Sequence, residues 1–208
     1  FIHDTGYKCG NRTYKLYTFS RLQGRFSIDS KEKTITYYNE VKLEISAVDD
    51  KFLSYLVNGI IINDEVRLGN NMVSVKEVRC TKNILKSGDK VYTKSPIVTY
   101  STFQDNEKKK TYYYSPFESE FSELIRKNLI KKYNAAYGVK PENCDFSIEA
   151  VHNSKLKEKV LVYKKTVIKG WTGEFILKGS KELINMGYNS GFGSKNSQGF
   201  GCVEKCNL

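Results

Sequence analysis

The chain has 208 residues, 39% of them hydrophobic, which is enough for one large or two small globular domains with a buried core. Lys and Arg total 34 against 23 Asp and Glu, and the formal net charge of +11 favours a polyanionic partner. No stretch of about 18 apolar residues is present, so we expect no membrane-spanning helix and no membrane partner.

The cysteines bear on disulfides, metal sites and compartment. There are five, at Cys9, Cys80, Cys144, Cys202 and Cys206. An odd number without paired C-x-x-C spacing predicts neither a disulfide framework nor a zinc site. Asp, Glu, His and Cys also show no cluster with metal-ligand spacing, so we expect no metal and no other cofactor. Free thiols are typical of a reducing compartment, and we expect a cytoplasmic protein.

The positive charge is spread over several short lysine runs. Taken singly, such a run is typical of a solvated face, and we expect each to be one: Lys108 to Lys110, Lys131-Lys132, Lys155 to Lys159 and Lys164-Lys165. Fifteen Tyr and eleven Phe supply flat faces on which unpaired bases can stack, although many must fill the core.

Hydrophobic periodicity predicts the elements of the first half. In chain order these are a strand over 14–22, a half-buried strand with alternating residues over 34–48, a helix capped by Asp49 or Asp50 with an apolar stripe from Phe52 to Ile61, and a strand over 72–80.

The second half contains a well-marked helix. Ser115, Pro116 and Glu118 form a capping box, Gly138 ends the helix, and the buried stripe comprises Phe117, Phe121, Leu124, Ile125 and Leu129. Around it we predict a strand over 91–103 with a bulge or edge at Pro96, a strand over 144–152, one or two strands within 159–178, a short helix from Ser180 to Gly187 and a closing strand over 200–205.

The order of elements in the second half is strand-helix-strand-strand-helix-strand, which is typical of a ferredoxin-like unit. The first half has the same order without the opening strand and helix, and the sequence begins at Phe1 rather than Met. We therefore expect an α+β protein of two tandem ferredoxin-like domains, with 1–85 the incomplete first domain and 86–208 the second.

A glycine-rich segment is the most specific motif. It has the form Gly-Phe-Gly, five residues, Gly-Phe-Gly. Glycine permits positive φ and close approach of a ligand to the backbone, so successive N–H groups can cradle phosphate oxygens. The alternative, a hairpin that joins a helix to a strand, needs far fewer glycines. We predict that RNA is bound by Gly191, Gly193, Lys195, Asn196, Ser197, Gly199 and Gly201.

The sequence resembles a known family, the CRISPR-associated repeat-processing endoribonucleases, which are the sixth Cas family of the RAMP superfamily. The matching motifs cover nearly the whole chain: Lys15-Leu16-Tyr17-Thr18-Phe19-Ser20, Val57-Asn58-Gly59, Ser95-Pro96-Ile97-Val98, Ala136-Tyr137-Gly138 and the glycine signature over 191–201. The resemblance implies two tandem ferredoxin-like folds, in agreement with the topology above. It also implies CRISPR repeat RNA, or precursor crRNA, as the partner.

The activity that the resemblance implies is metal-independent cleavage of repeats in CRISPR precursor transcripts. The 2′-hydroxyl attacks the adjacent phosphate, which gives a 2′,3′-cyclic phosphate and a 5′-hydroxyl. Such a reaction needs a base, an acid and a cation near phosphorus, and imidazole suits the proton transfers.

By position, His3 matches the catalytic histidine of that family, and Lys15 matches the lysine that stabilises the transition state. His152, at a strand end, is the weaker candidate. The tyrosine that some members use as a base would lie on the first helix, and neither Tyr7 nor Tyr14 occupies that motif position. The role of His3 as acid or base therefore stays open.

Two other functions are compatible with parts of the pattern. A non-catalytic RAMP subunit that holds guide RNA among the subunits of a CRISPR effector complex would share the charge and the loop, but it would not need His3 or Lys15. An enzyme acting on small nucleotides fits less well, because the loop lacks the Gly-Lys-Ser/Thr ending of a P-loop.

Overall fold

The computed structural model describes residues 6–10, 12–63, 65–105, 108–152, 155–163 and 166–206. Within those ranges, the first half of the chain contains eight strands and one helix: β1 (Tyr7–Cys9), β2 (Arg12–Tyr14), β3 (Tyr17–Phe19), β4 (Gln23–Asp29), β5 (Thr34–Lys42), β6 (Ile45–Ala47), α1 (Asp50–Asn63), β7 (Glu65–Leu68) and β8 (Asn71–Ser74). The strands pair antiparallel, β1 with β2, β3 with β6, β4 with β5 and β7 with β8.

The predicted half-buried strand over 34–48 is wrong in two respects. It is divided into β5 and β6, and β5 pairs with β4 in a hairpin whose side chains are mostly exposed. Ile35, for example, is 56% exposed. Alternating apolar and polar residues predict that one face of a strand is buried, but here neither face of the hairpin packs against the rest of the protein. The predicted strand over 72–80 is likewise shortened to β8.

The second half contains eight strands and two helices: β9 (Lys90–Thr93), β10 (Tyr100–Asp105), β11 (Lys108–Tyr113), α2 (Ser119–Tyr137), β12 (Phe146–Ala150), β13 (Lys157–Tyr163), β14 (Thr166–Thr172), β15 (Glu174–Gly179), α3 (Lys181–Ser190) and β16 (Val203–Lys205). Its central antiparallel sheet has the order β12-β15-β9-β16. With α2 after β9 and α3 after β15, this is the predicted ferredoxin-like arrangement. The hairpins β10–β11 and β13–β14 are insertions into it.

The two helices pack on one face of this sheet. The predicted stripe on α2 is confirmed at Phe121, Ile125 and Leu129, which are all fully buried. They join a core that includes Leu183 and Ile184 of α3 together with residues of the sheet. Leu85, just before the predicted domain boundary, belongs to the same core.

The predicted helix signals of α2 are partly confirmed. The Ser115 N–H donates to the Glu118 carboxylate at 2.6 Å, and Gly138 ends the helix in the left-handed conformation. The regular helix begins later, at Ser119, and Phe117 is 61% exposed rather than part of the stripe.

Helix α3 begins as predicted, since the Ser180 hydroxyl accepts a hydrogen bond from the Leu183 N–H. It does not stop at Gly187 but continues to Ser190. A Cβ at Gly187 would lie 2.1 Å from the ring of Phe192. The glycine therefore allows an aromatic ring to pack against the helix instead of ending it.

The two halves are joined by polar contacts at Lys94. Its side chain is 8% exposed and lies 3.0 Å from Glu44 and 2.7 Å from Glu204. Burial alone would lower the pKa of Lys94, but its hydrogen bonds to these two carboxylates outweigh that effect and raise it. In addition, the Arg21 N–H donates to the Lys94 carbonyl. Among the helices described, none has the length and apolarity needed to cross a bilayer.

Candidate functional site

The glycine loop, Gly191 to Gly201, connects α3 to β16 and folds back onto the second half. The Phe192 N–H donates to the Gly201 carbonyl at 2.9 Å, the Ser194 N–H to Val98 at 2.7 Å, and the Gly201 N–H to Pro96 at 2.8 Å. A short 3₁₀ turn spans Asn196–Gln198. These three backbone amides of the loop are therefore occupied by acceptors within the chain.

The glycines of the loop are required by this folding. Gly191, Gly193, Gly199 and Gly201 all have positive φ, from 75° to 86°, and all are buried. A Cβ at Gly193 would lie 2.5 Å from the Val98 carbonyl oxygen, and one at Gly201 would lie 2.0 Å from that of Phe192. Close packing inside the chain thus accounts for the glycine pattern.

Asn196, predicted as an RNA contact, faces inward. Its side-chain amide donates to the carbonyls of Phe192 and Phe200 at 3.1 and 2.9 Å. Its side-chain oxygen accepts a 2.7 Å hydrogen bond from the ammonium of Lys132 on helix α2. The side-chain amide of Asn196 thus lies at the centre of the loop, and its nitrogen and oxygen bond other residues of the protein rather than solvent.

The outer edge of the loop carries two cations that lie over aromatic rings. Lys195 has left-handed backbone (φ 63°), and its Nζ lies 5.4 Å from the centroid of Tyr100. The guanidinium of Arg21, which follows β3, lies 4.9 Å from the centroid of Phe200. Among the described residues, no carboxylate forms an ion pair with either cation. Both are therefore free to meet an anionic ligand. Ser197, two residues after Lys195, is half-buried.

Strand β3 supports the loop from the first half. The buried Thr18 hydroxyl donates to the Phe200 carbonyl at 3.0 Å, and a Cβ at Gly199 would lie 2.6 Å from the ring of Phe19. Lys15 is exposed and precedes this strand by two residues. The segment that carries the predicted catalytic lysine is therefore continuous with the strand that holds the loop.

The predicted catalytic histidine, His3, lies outside the described residues. Tyr7 donates to the Asp49 carboxylate at 3.3 Å, and partial burial together with that carboxylate raises the pKa of Tyr7. His152 lies at the end of β12 as expected, exposed and stacked on Phe117 at 5.4 Å. In the described part of the chain, no three His, Cys, Asp or Glu side chains come together in a group that could hold a metal ion.

Sequence models of one family match almost the entire chain. The model for "CRISPR associated protein Cas6, C-terminal" matches residues 79–205, more than half of the chain, and that for "CRISPR-associated protein Cas6, N-terminal" matches residues 9–79. The chain belongs to the Cas6 family.

Several members of the Cas6 family have a curated name or a solved structure. "CRISPR-associated endoribonuclease Cas6 1" of Methanocaldococcus jannaschii is 33% identical over 91% of this chain and 73% of its own length. "CRISPR-associated endoribonuclease Cas6" of Pyrococcus furiosus is 31% identical over 91% and 70%. The structure of a Cas6-related gene product from P. furiosus superimposes with a TM-score of 0.81 at 31% identity, over 92% of this chain and 79% of that one.

A solved RAMP protein, described as binding different RNA substrates, superimposes with a TM-score of 0.74 at 26% identity, over 92% of this chain and 80% of that one. These similarities extend across both halves. They confirm the family resemblance and the tandem ferredoxin-like architecture predicted from the sequence.

Sequence reasoning missed three residues at this Cas6 site, namely Arg21, Tyr100 and Lys132. The first two are brought to the loop by tertiary contacts that no local pattern encodes. Lys132 was predicted to lie on a solvated face with Lys131, but it is 2% exposed. A signal was present, because Lys132 continues the apolar stripe three residues after Leu129.

Proposed function

We propose that the chain is an endoribonuclease that cleaves within the repeats of CRISPR precursor transcripts to generate crRNA. Two curated relatives, at 33% and 31% identity, are named as CRISPR-associated endoribonucleases. The observation that carries the proposal is the pair of cations at the outer edge of the glycine loop. There, Lys195 and Arg21 lie over aromatic rings without a carboxylate partner in the described structure, and Lys15 begins the adjoining segment. Such cations suit phosphate oxygens of RNA.

The proposed chemistry is attack of a 2′-hydroxyl on the adjacent phosphate without a metal. His3 transfers a proton to or from one of the two oxygens that exchange at phosphorus, and Lys15 offsets the charge that develops on the phosphoryl oxygens. The products are a 2′,3′-cyclic phosphate and a 5′-hydroxyl. Atoms and charge balance without a water molecule, because the attacking oxygen and the leaving oxygen both belong to the RNA.

The proposed RNA contacts are divided between two kinds of loop residue. Lys195 and Ser197 lie on the accessible edge and contact phosphate or sugar directly. Gly191, Gly193, Gly199, Gly201 and Asn196 fix the backbone that carries them. A bound strand then runs from the loop toward Lys15, along the side of β3.

The deciding experiment is incubation of purified protein with the repeat RNA of its own genome in EDTA, followed by analysis of the ends. We expect an undiminished rate and a 2′,3′-cyclic phosphate. A substrate with deoxyribose before the scissile phosphate should bind but remain intact. Cleavage of the deoxy substrate, or a 3′-hydroxyl product, would exclude attack by the 2′-hydroxyl.

A second function is favoured by one observation. The 26% identical RAMP protein is described as binding different RNA substrates. On this alternative, the chain holds guide RNA as a non-catalytic subunit of a CRISPR effector complex. Tight binding of repeat RNA with no cleavage at any pH from about 6 to 9 would establish the alternative and reject the nuclease.

A further inference from the structure

Lys132 is a buried cation at the centre of the glycine loop. It lies on α2, and its Nζ donates to the Gly191 carbonyl at 2.6 Å, to the Asn196 side-chain oxygen at 2.7 Å and to the Ser190 carbonyl at 3.4 Å. The side chain is 2% exposed. A lysine this deeply buried is costly unless its N–H groups are satisfied, and here three oxygens surround it.

These oxygens belong to the end of α3, the first residue of the loop and its central residue, Asn196. Asn196 relays the contact, since its amide group donates to the carbonyls of Phe192 and Phe200 on both arms of the loop. One ammonium thus fixes the helix end, the first glycine and the turn that presents Lys195.

No other charged or titratable side chain of the described residues faces Lys132, and burial alone accounts for its altered acidity. The titratable groups on the elements packed around it are engaged elsewhere. Tyr133 donates to Glu182, Tyr188 accepts from Asn83, Lys195 lies over Tyr100, Tyr7 donates to Asp49, and Lys178 donates to Glu149.

We infer that Lys132 is the positioning residue of the RNA site, because its ammonium holds the glycine loop in the one conformation that presents Lys195 and Ser197 to RNA. The inference rests on the proposed function for the identity of the ligand. Lys132 itself cannot touch RNA, since it is enclosed by α2, α3 and the loop. Its effect on binding is therefore exerted through the loop.

The ammonium form satisfies all three oxygens, because it has three N–H donors and a neutral amine has only two. Burial lowers the pKa of Lys132 to about 7. Opening of the loop would return the side chain to water and to its ordinary pKa, so the open loop binds more protons, and closure of the loop becomes more favourable as the pH rises above about 7.

The test is Lys132→Met, which replaces the side chain up to Cε with an apolar one of similar shape and removes all the donors. The matched control is Lys131→Met, an exposed lysine on the same helix. We expect Lys132→Met to melt cooperatively, to bind repeat RNA about tenfold more weakly, as for the loss of one or two phosphate contacts, and to exchange the amide hydrogens of 191–201 faster. Lys131→Met should match wild type. A folded Lys132→Met with wild-type affinity and wild-type loop exchange would overturn the inference.

A second measurement applies to wild type, in case the variant does not fold. The protection factors of the Phe192 and Gly201 amides, corrected for intrinsic exchange, should rise as the pH is raised above about 7, the pKa of Lys132, because the opened loop binds a proton that the closed loop does not. Flat protection in the loop would overturn the inference. Failure of wild type to bind repeat RNA would instead reject the proposed function, and this outcome is separate from either result.

Discussion

The hydroxyl of Thr18 donates a hydrogen bond to the carbonyl of Phe200, which lies 182 residues further along the chain. Both residues are buried, and the ring of Phe19 covers Gly199 beside them. The glycine loop is therefore one of the places where the two ferredoxin-like halves meet, as well as the edge on which RNA is proposed to bind. Substitutions in the loop must therefore be tested both for stability of the fold and for RNA binding.

Gly193→Ala and Gly138→Ala should have different effects on stability. Both glycines have φ of 75°, so both substitutions incur left-handed strain of about 1–2 kcal/mol. A Cβ at Gly138 meets nothing within 4 Å, whereas one at Gly193 meets the Val98 carbonyl at 2.5 Å. Thermal melting should therefore show a modest loss for Gly138→Ala and a much larger one for Gly193→Ala. Equal losses of stability in the two variants would mean that the loop tolerates a Cβ close to the Val98 carbonyl.

Lys195→Ala should weaken binding of cognate and unrelated RNA alike, because a lysine on phosphate carries no sequence information. The slope of log K against log salt should decrease by roughly 0.7, as for one lost contact to a single strand. Lys140→Ala, which removes an exposed lysine just after α2, serves as the control. Unchanged affinity and slope in Lys195→Ala would remove this lysine from the interface.

His3→Ala should slow single-turnover cleavage by roughly 10²–10⁴-fold if the imidazole transfers a proton in the transition state. Lys15→Ala should also slow the chemical step, because it removes a charge beside the phosphate. Neither substitution should change the Kd for the deoxy substrate by more than a few fold. If His3→Ala cleaves at the wild-type rate, His152→Ala becomes the next variant to measure.

The stability of the protein should depend on pH through Lys132. Its pKa is about 7 in the folded chain, against an ordinary value of 10.5, so the unfolded chain binds more protons between those limits. The free energy of unfolding should therefore rise with pH across that window, by up to about 1.4 kcal/mol per pH unit. The difference between wild type and Lys132→Met isolates this slope in denaturant titrations across the same window. Parallel curves would show that Lys132 titrates normally.

Lys94→Met should destabilise the junction of the two halves. It leaves Glu44 with Lys42 and Glu204 with Tyr92 as the remaining partners, which should cost about 2–3 kcal/mol given the partial exposure of both carboxylates to solvent. The control is Lys76→Met, which breaks an exposed ion pair with Glu40 and should hardly change the melting temperature. A Lys94→Met protein as stable as the control would show that the ion pairs of Lys94 contribute little to the junction of the halves.

Elements with a strong local signal were predictable from the sequence. The stripe of α2 and its ending at Gly138 depend on spacing within one helix, and they are confirmed. The hairpin β4–β5 was not predicted, because the turn that joins its strands contains no glycine. The left-handed residue of that turn is Lys33, and a second left-handed residue, Asn39, lies within β5. The strand predicted over 91–103 is similarly divided, since the chain turns between β9 and β10 around the buried Pro96.

The candidate site was predictable only where its residues lie close together in the sequence. The glycine pattern located the loop, but it did not reveal that Asn196 faces inward, since that depends on Lys132, 64 residues earlier. A lysine beside another lysine is typical of a solvated face, and its burial here depends on the loop that covers it. Arg21 gives no local signal, because the ring beneath it comes from the opposite end of the chain.

The close contact between the Cβ position of Gly201 and the carbonyl of Phe192 has an evolutionary consequence. Selection against larger residues at that position acts on assembly of the protein, whichever transcript is bound and whether or not it is cut. The Gly-Phe-Gly pattern alone therefore predicts the folded loop, and it does not distinguish a nuclease from a protein that only binds RNA.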